Sequence, residues 1–364
     1  MMDIGGIATH APHLVNGLKS LGHTVDFIAL ENKYYCSSTT TSKPVIQNET
    51  GVPYNLSTGF LFPVQKKFPF KTGKWKQFTS NYDLVIWETP CHKNEFDGDD
   101  LLKPYDIDVK QIVFVHDGNS PKLSPHLKDV AKMVDYMACV HPSSLGSIKS
   151  LGIENCHLIL NPQAHLDTRM VTPGSVEKKN QVSTFATFKA WKRVDQAVRA
   201  APLFDPTFLL YGKGIEYHYM SGVKRKPKYG TIWDDALASG KMKHGGFITE
   251  EERDEIMAES KAVIDSSWST GQNQYGAIFN RTMIEAIIKG TIPILCTETM
   301  KDNGIFTAGV HYAAVPRDAT PRYFADVVNS VAAKDWSAEL VDAQRIVKTK
   351  FSSHIVAEEL LSWI

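Results

Sequence analysis

The chain has 364 residues, 43% of them hydrophobic and 22% charged, with 40 basic side chains balanced by 40 acidic ones. That length exceeds what one core usually serves, so two domains are expected, and zero net charge excludes a global pull toward a polyanion or an anionic membrane. No apolar run is long enough to span a bilayer, no secretory leader is expected, and five cysteines without a C-x-x-C pair fit unpaired thiols in a reducing cytoplasm.

The first 30 residues read as a Gly-rich turn, a helix and a strand at 23–30. Gly5 and Gly6 ahead of a helix can bring bare backbone N–H groups to a phosphate, although an ordinary tight turn uses the same pair. In doubly wound domains such a turn follows a strand, and only four residues precede this one. The first core strand is therefore expected to be absent here, or the sheet to start elsewhere. Pro12 should kink or loosen the helix. Residues 33–80, rich in Ser, Thr, Pro and Gly, predict a long elaborated loop. Within it Lys66, Lys67, Lys71, Lys74 and Lys76 interleave with Phe68, Phe70 and Trp75. Cations beside aromatic faces suit a phosphate backbone and an unstacked base; the alternative is a solvated loop whose aromatics pack on the domain.

Residues 82–88 and 111–116 read as short buried strands of a parallel sheet, whose ligands lie beyond the strand C-termini. Glu88, His116 and Asp117 therefore fall where chemistry is expected. Asp97 and Asp99 have the D-x-D spacing of metal-dependent sugar transferases, but their polar loop argues against a metal. A strand and helix fill 134–152, a polar Pro-bearing run follows, and a second domain opens with a strand at 182–185. Lys189, Lys192 and Arg193 crowd the next helix start, at a strand terminus where the helix dipole favours an anion. After the strand at 208–212, a second basic, aromatic loop carries Lys224, Arg225, Lys226, Lys228, Tyr229 and Trp233. Gly245 and Gly246 leave main chain exposed beside Phe247, suited to a flat base edge, and Thr249 with Glu252 matches a capping box.

The stretch 280–296, NRTMIEAIIKGTIPILC, predicts a helix with Met283, Ile284, Ile287 and Ile288 on its apolar face, a stop at Gly290 and a buried strand at 292–295. Glu285 inside that helix is either an exposed face residue or a buried carboxylate in need of a partner. Helices then run to the C-terminus. The last, around 355–364, has an apolar face suited to docking back onto the body.

GGIATH with SLGHTV, the strand ending at His116, VDYMACVHPSSL, the lysine-bearing AWKR and IEAIIKGTIPIL together resemble the GT-B glycosyltransferases of the family-4 type, over nearly the whole chain. Within that family the HD, WK and E-x4-GTIP elements are most similar to the T-even phage DNA α-glucosyltransferases. The resemblance implies an α/β fold of two doubly wound Rossmann-like domains facing across a cleft. Residues 1–165 would form the acceptor side, 166–180 a linker, 181–345 the nucleotide-sugar domain, and 346–364 a C-terminal helix returning to the first domain. It further implies a retaining UDP-sugar-dependent hexosyltransferase with UDP-glucose as donor and no metal requirement. Such an enzyme would act as a monomer, in the cytoplasm of a phage-infected cell, on double-stranded DNA bearing a hydroxymethylated pyrimidine. A cytoplasmic relative acting on a small-molecule, lipid or polysaccharide acceptor is a second reading, and a nucleotide or nucleic-acid binding module a third.

Carried over residue by residue, Glu285 matches the glutamate that binds the ribose hydroxyls, and Lys192 the lysine that holds the diphosphate and stabilises the leaving group. Lys189 stands in for an arginine expected five residues before Lys192, where this sequence has Thr187. His116 and Asp117 match the pair that positions the donor sugar and stabilises developing positive charge. Gly5, Gly6, Gly212 and the main chain at Phe247 fall to phosphate and base, with Arg281 and Thr282 at the helix entrance. The acid that usually precedes Glu285 would fall on Ala277 or Asn280, so Arg281 is expected to take phosphate or sugar instead. With no evident carboxylate nucleophile, the implied route is front-face transfer in which the departing phosphate takes the acceptor proton.

Overall fold

The computed structural model describes residues 6–28, 46–47, 72–88, 102, 105–116, 127–186, 192–212, 230–246, 248–267, 281–296 and 304–364. Backbone contacts divide the chain into two compact units, Met1–Ala164 with Lys350–Ile364, and His165–Thr349.

In the first unit, α1 (Gly6–Ser20) continues through Pro12, which lies on its exposed side. β1 (Phe27–Ile28) pairs antiparallel with β2 (Ile46–Gln47), apart from the main sheet. Within the strand expected at 23–30, the described Phe27–Ile28 does not join the parallel sheet. The residues ahead of α1 and most of 33–80 lie outside the described ones; within 33–80, β2 and α2 (Thr72–Thr79) interrupt the expected loop.

The parallel sheet runs in chain order through β3 (Leu84–Trp87), β4 (Lys110–Val115), β5 (Tyr136–Cys139) and β6 (Cys156–Leu158). The two-residue period of β4 sends its side chains to opposite faces, and both faces are covered, so Gln111 to Val115 are all buried. Val113 and Val115 join Leu127 and Val130 of α3 (Leu127–Met133) and Ile148 of α4 (Pro142–Lys149). Ile112 and Phe114 join Leu14 and Leu18 of α1 with Val356 and Leu360 of the C-terminal helix, Ser353–Leu361. Those two helices meet at Gly17, where a Cβ would lie 2.0 Å from the Ser353 carbonyl oxygen.

The second unit opens with α5 (Leu166–Arg169), then alternates β7 (Gln181–Phe185), α6 (Val194–Ala200), β8 (Thr207–Tyr211), α7 (Gly230–Ala238), β9 (Met242–Gly246), α8 (Glu250–Glu259), β10 (Ala262–Asp265), α9 (Arg281–Ile288) and β11 (Ile292–Cys296). β12 (Ala313–Val315), a strand not expected from the sequence, precedes α10 (Pro321–Ala333) and α11 (Ser337–Lys350). All six strands are parallel in the order β12-β11-β10-β7-β8-β9, so the winding reverses between β7 and β10. Such a reversal leaves a crevice beyond the strand C-termini. The Thr249–Glu252 capping box starts α8 as expected.

Residues 166–180, expected to be a linker, pack as part of this unit. The Val171 N–H donates to the Ile288 carbonyl at 2.9 Å, and Lys178 Nζ donates to the Ala258 carbonyl and Thr291 Oγ1 at 2.6 and 2.8 Å. The polar run looked like a linker because its partners, two main-chain carbonyls and the Thr291 hydroxyl, lie at the ends of α8 and α9, far along the chain, and leave no mark in the local sequence. Burial pushes the Lys178 ammonium down to about 8.

Gly17→Ala is expected to push α1 off the C-terminal helix and cost about 1–3 kcal/mol of stability. Equilibrium denaturation of the variant checks this, and an unchanged midpoint would mean that the two helices do not meet so closely.

Candidate functional site

In the second unit the apolar face of α9 buries Met283, Ile284, Ile287 and Ile288, and Gly290, at φ 64°, ends the helix in a left-handed cap. The same helix carries Glu285 into the core, where it is 2% exposed. A lone carboxylate there would be too costly to remain charged. Three guanidinium groups converge on its Oε1: Arg281 Nε from one turn earlier, Arg253 Nη2 from α8 at 3.3 Å, and Arg169 Nη2 from α5 at 3.9 Å. Among the described residues Oε2 accepts no hydrogen bond, which leaves Glu285 one open acceptor.

Further acids and a lysine extend the cluster. Arg253 Nη2 donates to Glu250 and Asp254, each at 3.1 Å, Arg281 Nη2 donates to Glu250 at 3.3 Å, and Lys289 Nζ lies 2.7 Å from Asp254. Burial opposes the charge on Arg253, but Glu285 and Asp254 hold its pKa above the ordinary value. Burial likewise works against the Asp254 carboxylate, and Lys289 with Arg253 holds it below its usual range. Arg281, expected to meet phosphate or sugar, is thus engaged with Glu285 and Glu250, with Thr282 half-buried beside it. Arg281 stands four residues before Glu285 and is legible as an i,i+4 pair. Arg253 and Arg169 are distant in sequence and no local pattern announces them.

Lys192 follows β7, and Ser266 Oγ, just past β10, donates to the main-chain oxygens of Lys192 and Arg193 at 3.1 and 2.9 Å. The backbone carrying Lys192 is thereby tied to the β7–β10 switch point. Gly212 has φ 145°, and a Cβ there would lie 1.8 Å from the Ala186 carbonyl oxygen. Its N–H donates to the Gly246 carbonyl at 2.8 Å, so close approach of strand ends demands this glycine whether or not a ligand is bound.

In the first unit, Glu88 follows β3, His116 follows β4, and His10 lies on α1. His10 Nδ1 is 2.9 Å and His116 Nε2 3.1 Å from the same Glu88 Oε2. The two imidazoles stand edge to face with centroids 4.7 Å apart, and Phe114 lies against both. Burial alone would raise the Glu88 pKa, yet the imidazoles hold it down at about 2. Burial lowers the pKa of His116, with Glu88 working against that shift. His141, at the start of α4, is pushed down to about 4 by burial and by the neighbouring His116. The three ligand-type atoms of His10, Glu88 and His116 lie within 4.8 Å of one another, a grouping that could also hold a metal ion.

Asp117, Gly5, Lys189, Phe247, Lys66, Lys67, Lys71, Lys224 and Arg225 lie outside the described residues, as do the side chains of Lys74 and Trp75 on α2. Gly6 is the first residue of α1. Lys76, the described lysine of the basic loop, faces acids: its Nζ is 3.0 Å from Asp108 and 3.9 Å from Asp106.

No family model matches the sequence, and no curated protein matches it by sequence. Solved structures do match the fold. HepE of Anabaena in complex with UDP is 16% identical, with a TM-score of 0.62 over 80% of each chain, and its UDP-glucose complex gives 0.60. The pneumococcal O-GlcNAc transferase GtfA, bound to UDP and GlcNAc, is 14% identical with a TM-score of 0.54, over 80% of this chain and 58% of its own. The lipopolysaccharide outer core galactosyltransferase WaaB is 14% identical with a TM-score of 0.55, over 80% and 78%. At these identities the likeness is one of fold, and the chain has the two Rossmann-like units of the GT-B architecture.

Glu285→Ala is expected to cost on the order of 2–4 kcal/mol, less than for a fully buried pair because Arg253 and Arg281 stay partly exposed. Denaturant unfolding measures this, and a loss under about 1 kcal/mol, as for an exposed ion pair, would mean that the arginines find other partners. Because the Glu88 pKa is depressed, its stabilisation is complete above about pH 4.5 and is lost as the pH falls toward 2. Glu88→Gln should flatten the stability profile across that acid window, and an unaltered profile would show that Glu88 is not the group titrating.

Proposed function

We propose that this protein is a retaining, UDP-sugar-dependent hexosyltransferase that moves glucose to the hydroxymethyl group of a modified pyrimidine in phage DNA. The observation that supports the donor side most directly is the placement of Lys192 and Glu285 in the second unit. Lys192 is tied to the β7–β10 switch point, and Glu285 is carried by α9, the helix that follows β10 in the order of elements. Doubly wound sheets bind nucleotides beyond the strand ends at such a switch point, and the solved neighbours of this fold include complexes with UDP and UDP-glucose.

In this proposal the open Oε2 of Glu285 accepts from a ribose hydroxyl, while Arg281 and Arg253 hold Oε1 and fix the carboxylate. Lys192 neutralises the diphosphate, and Lys189 with the main chain of Gly5, Gly6, Gly212 and Phe247 completes the donor contacts. The bond between sugar C1 and the β-phosphate oxygen breaks, the acceptor hydroxyl oxygen bonds to C1 on the same face, and the departing phosphate takes the acceptor proton. His116 and Asp117 orient the sugar and stabilise the positive charge that develops on it. The cationic side chains around the diphosphate supply the charge neutralisation, and no metal is assigned to this step.

The DNA acceptor rests on the resemblance in sequence and on the basic, aromatic runs at 66–76 and 224–228. A second acceptor class, a small molecule, lipid or polysaccharide, is favoured by the pairing of Lys76 with Asp106 and Asp108 instead of an open basic face. The two are separated by incubating the protein with radiolabelled UDP-sugars and DNA with or without hydroxymethylpyrimidine. Label only in modified DNA, falling steeply with salt, is the expected result; transfer to other acceptors with none to DNA would move the function to the second class. On the donor side, Lys192→Ala should weaken UDP binding about 10- to 100-fold while leaving uridine binding and stability near wild type. Equal affinity for UDP in the variant and the wild type would remove Lys192 from the diphosphate.

A further inference from the structure

Glu88 has no part in the transfer just described, yet among the described residues it is the carboxylate that a group of imidazoles faces at the C-terminal edge of the first sheet. We infer that Glu88 is a positioning residue that fixes His116 as its Nε2–H tautomer, so that this imidazole offers Nδ1 as an acceptor to a hydroxyl of the transferred sugar. The role of the sugar hydroxyl rests on the proposed function; the tautomer does not.

The chain topology sets up the contact. β3 and β4 are adjacent and parallel with Trp87 opposite Val113, so the residues that follow each strand leave the sheet on the same edge. Glu88 and His116 meet there at 3.1 Å, and α1 brings His10 to the same carboxylate oxygen at 2.9 Å. An ionised carboxylate only accepts, and the depressed pKa of Glu88 keeps it ionised across the neutral range. Both nitrogens facing it therefore carry hydrogen: Nδ1 of His10 and Nε2 of His116. Burial keeps His116 neutral, and a neutral imidazole with hydrogen on Nε2 has a lone pair on Nδ1. His141, the next imidazole in the group, is neutral as well.

His10 decides between a hydrogen-bonded clamp and a metal centre. Its ring is 4% exposed, and its Nε2 is buried without a hydrogen-bond partner among the described residues. A metal-ligating histidine ordinarily donates its second N–H to an acceptor, and ligation through Nδ1 would bury an N–H with none. With the hydrogen on Nδ1 donated to Glu88, the tautomer that leaves Nε2 as an unfilled acceptor is a less costly orphan than a buried N–H. His10 then holds Glu88 from behind while Glu88 holds His116.

Nitrogen-15 NMR of the full chain with labelled histidines, assigned with His10→Gln and His116→Gln, tests the clamp directly. Near neutral pH the wild type should show His116 as the Nε2–H tautomer, and Glu88→Gln should shift it to a mixture. A wild-type His116 that is the Nδ1–H tautomer or an imidazolium overturns the inference, as does joint perturbation of His10 and His116 by equimolar Zn2+. With UDP-glucose as donor, Glu88→Gln should lower kcat about 10- to 100-fold with KM for the donor within about twofold, as for other residues that orient a functional imidazole. Loss of UDP binding in step with kcat would mean that Glu88 acts on folding or on the nucleotide. Absence of any sugar transfer by the wild type would count against the proposed function alone, since the tautomer is read without turnover.

Discussion

A carboxylate taken out of water has to be answered by positive charge, and the second unit is arranged around one such carboxylate. α9 must bury four aliphatic side chains to cover its sheet, and its register carries Glu285 inward with them. Arg281 is supplied by the same helix, Arg253 by α8 and Arg169 by α5. The strap from 166 to 180 is consequently part of the second unit. It delivers one of the arginines and bonds to the ends of α8 and α9. Among the described residues Glu285 thus has one oxygen held by arginines and one that accepts no hydrogen bond.

The first unit solves a related problem with the signs reversed in number. One carboxylate is shared by two imidazoles, and a third imidazole lies beyond them. Because both imidazoles offer a nitrogen to the same carboxylate oxygen, its charge is hydrogen-bonded where it is buried. Its members come from the ends of adjacent strands and from α1. The helix keeps its place through Leu14 and Leu18 in the core and through the bare backbone at Gly17, against which the C-terminal helix packs.

Much of the alternation was legible in the sequence. The strands at 84–87, 110–115, 181–185 and 207–211 and the capped helix at 250–259 stand where apolar runs and the Thr249–Glu252 pair predict them. Departures have local causes. The strand expected at 23–30 has apolar residues but pairs with a two-residue partner, so few of its backbone groups enter a ladder. β12 was missed because an edge strand of three residues is too short to show a period. Lys76 read as part of a cationic face because its acids, Asp106 and Asp108, lie some thirty positions further along the chain.

What the sequence by itself determined is most of the order of strands and helices, the placement of Glu88, His116 and Lys192 at or just past strand ends and of Glu285 inside a helix, and the Gly290 stop. Those follow from periodicity, turn chemistry and the rule that parallel strands alternate with helices, all of which act over a few residues. Which charges meet was decided by the tertiary structure alone. Arg169 and Arg253 reach Glu285, and His10 reaches Glu88, because sheet order and helix packing bring together residues that lie 32 to 116 positions apart in the sequence. Pairing between distant charges acts through space, and beyond the i,i+4 pair of Arg281 with Glu285 no local pattern of residues encodes it.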